Sequence, residues 1–168
     1  MSDPLPAKGE RLTHGLLYRR IPNVGGRWDP GCGLPLKYAF TPATDRETGV
    51  KETGISTYLV RLTTVEEVLE GHNLHFGVVV LDIAEIYRAV AELRTKMGTG
   101  KTKVAPFGEF SITFEPSDNP KDGAARHAHC WMNPTPGAVQ KELVRLTSPS
   151  RVAKPCGPLQ QKTGSVDP

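Results

Sequence analysis

The stretch FGVVVLDIAEIYRAVAELRTKM, residues 76–97, decides the fold. It opens with FGVVVL, the most hydrophobic run of the chain, which predicts a central buried strand. Asp82 follows as an N-cap, and Glu85 stands at the third position after it, a pattern typical of a helix start. The apolar residues that come next, at steps of four, three and four along one helix face, are Ile86, Val90, Leu93 and Met97. A buried strand is therefore predicted to lead directly into an amphipathic helix.

Further strands and helices are predicted on both sides of this unit. The strands are expected at residues 16–21, 36–40, 55–60, 103–105, 110–114 and 125–132, and the helices at residues 64–70 and 135–146. The strands outnumber the helices and do not alternate with them strictly. We therefore predict an α+β fold, with a mixed or antiparallel central sheet and about three helices.

The composition indicates one loop-rich domain. The 168 residues include 17 glycines and 15 prolines, about a fifth of the chain against about 12% in average proteins. Residues 1–11 are polar and contain prolines, which predicts a mobile arm. Residues 149–168 carry prolines and glycines without an apolar period, which predicts an extended or disordered tail. The single folded domain is expected to span residues 12–148.

Composition and charge argue against several classes of protein. No apolar run approaches the roughly 18 residues of a membrane span, and no signal peptide is recognisable. The formal net charge is +3, weaker than the clustered excess of a dedicated nucleic-acid module. The three cysteines have no CxxC spacing, so reduced thiols are the simple expectation. We expect a cytoplasmic protein that does not contact a membrane.

The most concentrated chemical group is RHAHCW at residues 126–131. On a strand, His127 and His129 project from the same face, with Cys130 on the other. The pair can act as acid and base, or can supply two metal ligands. A metal site normally needs three or four ligands, so no bound metal is predicted. At least one histidine is a candidate for catalysis or substrate contact, and a structural role for both remains the alternative.

Two segments near the N-terminus could bind an anionic or aromatic ligand. Arg19 and Arg20 project from opposite faces of the first strand, and a planar guanidinium suits a phosphate. The loop GGRWDPG, residues 25–31, combines flexible backbone with Arg27 and Trp28, on which a ligand ring could stack. The alternatives are an edge strand with two exposed arginines, and a loop that packs around its own tryptophan.

The opening block resembles the start of the RES-domain toxins. It shares Leu17-Tyr18-Arg19, then GGRWD at residues 25–29, Gly31 and Tyr38, over about 25 residues. The family is similar to ADP-ribosyltransferases in fold and degrades NAD. The resemblance implies an ADP-ribosyltransferase-like fold, NAD as a substrate and a role as toxin or defence effector. Arg19 matches the arginine of the family's first strand. Glu47 and Glu52 are candidates for its glutamate, and its late serine has no clear counterpart.

A second resemblance is longer and connects most of residues 16–148. A group of small bacterial proteins shares the order LYRR, AF, a Gly-Leu-Ser strand, a hydrophobic strand, HAH and a final helix. The matching blocks here are residues 17–20, 39–40, 54–59, 71–72, 76–79 and 127–129. That group has no settled function, so this resemblance indicates which blocks belong together and implies no activity.

These observations predict an enzyme that acts on NAD or a related nucleotide. The proposed catalytic residues are Arg19 for a phosphate, Ser56 for the ribose, and His127 or His129 for substrate contact or proton movement. The proposed substrate-binding residues are Arg20, Arg27, Trp28 and Tyr58, with Trp28 or Tyr58 stacking on a ring.

Two other functions remain open. One is a non-catalytic module that binds RNA, a nucleotide or a protein partner, aided by the basic tail residues Arg151, Lys154 and Lys162. The other is a metal-dependent hydrolase that uses His127 and His129.

Overall fold

The computed structural model describes residues 3–45, 47–72, 74–98 and 107–160. Within these ranges the chain forms one antiparallel six-stranded sheet and three α-helices, which confirms the predicted α+β fold. The strands are β1 (Leu16–Ile21), β2 (Ile55–Leu59), β3 (Gly77–Asp82), β4 (Ser111–Phe114), β5 (His129–Asn133) and β6 (Val152–Lys154). The helices are α1 (Val65–Leu69), α2 (Ile83–Gly98) and α3 (Gly137–Arg145). The strand order is β4-β5-β2-β1-β3-β6.

The β3–α2 unit forms as its sequence predicts. Val79 and Leu81 on β3 are almost completely buried. Asp82 Oδ1 accepts a hydrogen bond from the backbone N–H of Glu85 at 3.2 Å, which caps the start of α2. The apolar face of α2 packs on the sheet through Ile86, Val90 and Leu93. The strand is buried as expected, but it lies between β1 and the edge strand β6.

The two faces of the sheet have different roles, because side chains alternate along each strand. The face that we call the core face carries Leu17, Ile21, Ile55, Leu59, Val79, Leu81, Cys130 and Met132, and packs against α2, α3 and the loop containing Trp28. The opposite face, which we call the site face, carries Tyr18, Arg20, Ser56, Tyr58, Val78 and His129. Part of the site face is covered by α1 and by residues 125–128.

Two predicted strands differ from the structure. Residues 36–40 were expected to be extended, but Lys37–Phe40 form a 3₁₀ turn that buries Ala39 and Phe40 completely. The strand expected at 125–132 begins only at His129, because Arg126–Ala128 form another 3₁₀ turn. His127 and His129 therefore do not share a strand face. The short strand expected at 103–105 lies outside the described residues.

The segments expected as arm and tail contact the sheet where they are described. The backbone N–H of Gly9 donates to Phe114 O at 2.7 Å, and Leu12 N–H donates to Ile112 O at 2.8 Å. Residues 9–12 thus lie beside β4, while Asp3 O and Pro4 O accept hydrogen bonds from the Arg61 guanidinium. At the other end of the sheet, β6 pairs with β3 in the first half of the expected tail. Among the described residues, no helix is both long enough and apolar enough to cross a membrane.

Candidate functional site

Ser56 and His129 meet on the site face, on the neighbouring strands β2 and β5. Tyr58 and His129 lie opposite each other in the strand pairing, and Ser56 lies two residues before Tyr58 on β2. His129 Nε2 is 3.0 Å from Ser56 Oγ, and its Nδ1 is 2.9 Å from the backbone oxygen of Glu115. The strand pairing therefore brings together two of the four predicted catalytic residues.

The two hydrogen bonds of His129 determine which ring nitrogen is basic. A backbone carbonyl only accepts, so Nδ1 carries the proton and donates it to Glu115 O. In the neutral ring Nε2 is then the acceptor, and the Ser56 hydroxyl donates to it. A basic nitrogen held against a hydroxyl is the arrangement that general-base and nucleophilic catalysis use.

These side chains line a pocket of about 420 Å³, which we call the serine–histidine pocket. Its other lining residues are Lys8, Tyr58, Glu115, Pro116, Ser117, Asp122 and Arg126. Glu115 directly follows β4, and the alternation along that strand places its side chain on the site face. The pocket therefore offers two carboxylates and two cations beside the serine–histidine pair.

The Tyr58 ring contacts both His129 and Arg20 on the site face. The side chain is only 7% exposed, and its ring meets the His129 ring edge-on with the centroids 5.8 Å apart. The Arg20 guanidinium lies 5.7 Å from the centre of the Tyr58 ring. Because protein groups already surround this ring, Tyr58 orients Arg20 and His129, and little of the ring is exposed for the ligand stacking that the sequence predicted.

A second pocket of about 600 Å³ adjoins the first, and we call it the arginine pocket. The two pockets share Asp122 and Arg126. The arginine pocket also contains Arg20, Glu70, Gly71, His72, Pro120, Lys121, Gly123 and Ala124. Burial, together with the charge of Arg20, lowers the pKa of His72.

Arg19 lies on the core face and does not enter either pocket. Its Nε and Nη2 both donate to Ala39 O at 3.2 Å, and its Nη1 donates to Ser56 O at 3.0 Å. Burial, with the charges of Arg20 and Arg27 added, lowers its pKa to about 10. Arg19 therefore binds the backbone of Ser56 from the core face of the sheet, whereas the sequence analysis predicted that it binds a phosphate.

The position of Arg19 follows from the pairing of β1. This strand pairs with β3 over all six of its residues, but with β2 only through Leu17 and Tyr18. Beyond that point β2 diverges from β1. The Arg19 guanidinium then supplies to Ser56 O the hydrogen bond that a backbone partner would otherwise make.

Arg27 and Trp28 belong to the packing of the core face. Trp28 is 1% exposed and its Nε1 donates to Ile21 O at 3.4 Å. A Cβ built on Gly77 would come within 2.2 Å of the Trp28 ring, so only glycine fits there. Arg27 Nη1 donates to Tyr38 O at 3.3 Å. The loop at 25–31 thus packs around its own tryptophan, and the Trp28 ring is not available to a ligand.

His127 is exposed on the 3₁₀ turn before β5, and its Nε2 lies 2.7 Å from Leu62 O. It lines neither pocket, so the predicted pairing of His127 with His129 does not occur.

Two of the basic tail residues are engaged within the chain. Arg151 Nη2 donates to Glu85 Oε1 at 2.9 Å, and Lys154 Nζ donates to Leu74 O and Phe76 O. Lys162 lies outside the described residues.

Sequence reasoning missed Glu115 and Arg126. The candidate glutamates Glu47 and Glu52 are exposed on the loop before β2 and line neither pocket. Glu115 directly follows a predicted strand, but its position in the pocket follows only from the pairing of β4 with β5. Arg126 precedes the two histidines in the sequence and could have been included with them.

No group of three or more histidine, cysteine, aspartate or glutamate side chains in the described ranges is arranged to hold a metal ion. Comparison with known protein families, with curated proteins and with solved structures finds no match for this chain.

Proposed function

We propose that this protein is an ADP-ribosyltransferase-like enzyme that binds NAD or a related nucleotide in the serine–histidine pocket. The reaction we assign to it is cleavage of the bond between the ribose and nicotinamide. The hydrogen-bonded series from Ser56 through His129 to the Glu115 carbonyl carries this proposal, because it holds a basic nitrogen and a hydroxyl ready for a bound sugar.

Three polar groups of the pocket, Ser56, Glu115 and His129, have a place in such a reaction. The Ser56 oxygen, which donates its own proton to His129, accepts a hydrogen bond from a ribose hydroxyl and orients the sugar. The bond between C1′ and the nicotinamide nitrogen breaks, and its electron pair leaves with nicotinamide. The Glu115 carboxylate stabilises the positive charge that develops on the ribose.

A water molecule or an acceptor hydroxyl then attacks C1′. Its proton passes to Ser56 Oγ as the serine passes its own proton to His129 Nε2, the basic nitrogen of the pair. With water the products are ADP-ribose and nicotinamide. With an acceptor hydroxyl the ADP-ribosyl group is transferred. We place this activity in the cytoplasm as that of a bacterial toxin or defence effector, in keeping with three cysteines that are all free thiols.

Nicotinamide release from NAD by the purified chain tests the proposal directly. We expect turnover by the wild type, and losses of about 100-fold or more in His129→Gln and Glu115→Gln, the range for a lost general base or charge stabiliser. Ser56→Ala should raise KM and lower kcat. Ser111→Ala is the matched control, because Ser111 lies on β4 and lines neither pocket.

Two results would contradict this function. If the wild type neither releases nicotinamide nor binds NAD, the proposal fails entirely. If it binds NAD without turnover, the non-catalytic nucleotide-binding module becomes the better interpretation.

A further inference from the structure

Arg20 and Arg126 line the arginine pocket as oriented cations. Arg20 Nη1 donates to Val68 O at 2.6 Å, and Arg126 Nη1 donates to Gly123 O at 3.0 Å. Within the described ranges, neither guanidinium forms an ion pair with a carboxylate. Each arginine is thus held in place by a neutral backbone group that leaves its positive charge uncompensated by a partner.

One of the two carboxylates in the pocket lining is already engaged. Asp122 accepts a hydrogen bond from the Ser117 hydroxyl, and Glu70 is the other acid of the pocket. Lys121 adds a third cation. The arginine pocket therefore combines three formal positive charges with two negative ones.

The free donors of the two arginines suit a phosphate. A guanidinium has five N–H donors in one plane, and the structure uses one on each arginine for a backbone carbonyl. The Tyr58 ring lies beside the Arg20 guanidinium and restricts its orientation. Planar, pre-oriented guanidinium groups bind phosphate oxygens in pairs.

The location of this pocket determines which phosphate it can take. Arg126 lines both pockets, so an anion bound to it is adjacent to any sugar held by Ser56 and His129. We propose that the arginine pocket binds the diphosphate of the same nucleotide whose ribose occupies the serine–histidine pocket. The phosphate contact that the sequence assigned to Arg19 thus passes to its neighbour Arg20, on the other face of β1.

The identity of the ribose rests on the proposed function, but the anion site rests on the two arginines alone. Inorganic pyrophosphate is therefore a suitable probe, titrated into the full chain by calorimetry. We expect the wild type to bind it, and Arg20→Met and Arg126→Met to bind at least tenfold more weakly. Arg88→Met is the matched control, because Arg88 is exposed on α2 and lines neither of these two pockets.

A second variant separates binding from folding. Arg20→Lys keeps the charge but loses the planar fork, so it should recover the thermal stability of the wild type and only part of its pyrophosphate affinity. Equal pyrophosphate binding by the wild type and both methionine variants, or no binding by the wild type, would overturn the assignment. Tighter binding of a single-stranded RNA than of pyrophosphate, lost in the same variants, would also overturn it, in favour of nucleic-acid contact.

Kinetics with NAD distinguish this inference from the proposed function. If both hold, Arg126→Met should raise KM for NAD about tenfold or more and leave kcat within about twofold. If Arg126→Met turns over NAD with an unchanged KM, the diphosphate site is rejected and the proposed enzymatic activity stands. If the chain binds pyrophosphate through the two arginines but does not act on NAD, the proposed enzymatic activity is rejected and the anion site stands.

Discussion

At the scale of single residues, the contrast between Arg19 and Arg20 is the most informative feature. They are neighbours on β1, yet alternation sends one guanidinium to the core face and the other to the site face. Arg19 donates to Ala39 O and Ser56 O, whereas Arg20 lines the arginine pocket. One arginine therefore binds the backbone of the scaffold and the other faces the arginine pocket. The sequence showed that the two differ, but not which face is covered.

Arg19→Met should lower the stability of the fold. It leaves two backbone carbonyls without their donor, and each unsatisfied buried group costs about 1–3 kcal/mol. We expect a loss of about 2–4 kcal/mol in the free energy of unfolding, measured by urea denaturation. Pyrophosphate affinity of the folded variant should stay close to the wild-type value.

Arg27→Met is the appropriate comparison for this substitution. Arg27 is only partly buried and makes one side-chain hydrogen bond, to Tyr38 O at 3.3 Å, so its loss should cost less than about 1 kcal/mol. Equal destabilisation by the two variants, or a specific loss of pyrophosphate binding in Arg19→Met, would contradict the structural role of Arg19.

At the scale of elements, the short strand β6 covers one edge of the sheet. It pairs with β3, and its neighbourhood is held by the ion pair of Arg151 with Glu85 at 2.9 Å. Asn23 Nδ2 also donates to Pro158 O at 2.7 Å. Without this segment, the hydrophobic strand β3 would become an open edge, which favours aggregation.

A chain that ends at residue 148 should therefore be less stable and more prone to associate. We expect a loss of about 3 kcal/mol from the missing hydrogen bonds and packing, or a fall in Tm of about 6–12 °C for a domain of this size. Calorimetry and light scattering measure both effects. A chain that ends at residue 160 keeps every described contact and serves as the control. An identical Tm for the two shortened chains would show that β6 adds no stability.

The elements also show what the sequence could predict. The strand at 16–21, most of the strand expected at 55–60 and the β3–α2 unit were predicted correctly because their signals are local. At α2, for example, Asp82 accepts from the Glu85 N–H as its spacing predicts. The turns at 37–40 and 126–128 were missed because burial of Phe40 and Ala128 depends on distant partners.

The same distinction applies to the candidate site. Ser56 and His129 were selected by residue type, and only the antiparallel pairing of β2 with β5 brings them to 3.0 Å. Glu115 was missed because its position depends on the pairing of β4 with β5. Trp28 was assigned to a ligand because a glycine-rich loop carries no local sign that it will fold over Gly77.

At the scale of the whole molecule, the three cysteine thiols differ in how deeply they are buried. Cys32 is exposed, Cys156 is partly buried and Cys130 is buried in the core. Burial raises the pKa of Cys130 to about 12, so its reactive thiolate is absent from the folded protein near neutral pH. Modification of Cys130 therefore requires the core to open.

A thiol reagent at pH 8 should modify Cys32 within minutes and Cys130 only at the rate of unfolding. Mass spectrometry of the labelled peptides distinguishes the sites. Because folding raises the pKa of Cys130 from 9.0 to about 12, the folded state binds the extra proton between these values. Its contribution to stability is complete below about pH 9 and declines as pH rises toward 12. Fast labelling of Cys130 under native conditions would contradict its position in the core.

The limited pairing between β1 and β2 has a consequence for ligand binding. The strands β4, β5 and β2 form one leaf of the sheet and carry Ser56 and His129, while β1, β3 and β6 form another leaf and carry Arg20. The backbone pairing between the leaves consists of two residue pairs. The hydrogen bond from Arg19 to Ser56 O and the contact of Arg20 with the Tyr58 ring also cross from one leaf to the other. A ligand that touches both Arg20 and Ser56 would add another contact across this seam, so its binding should stabilise the sheet where its backbone pairing is short.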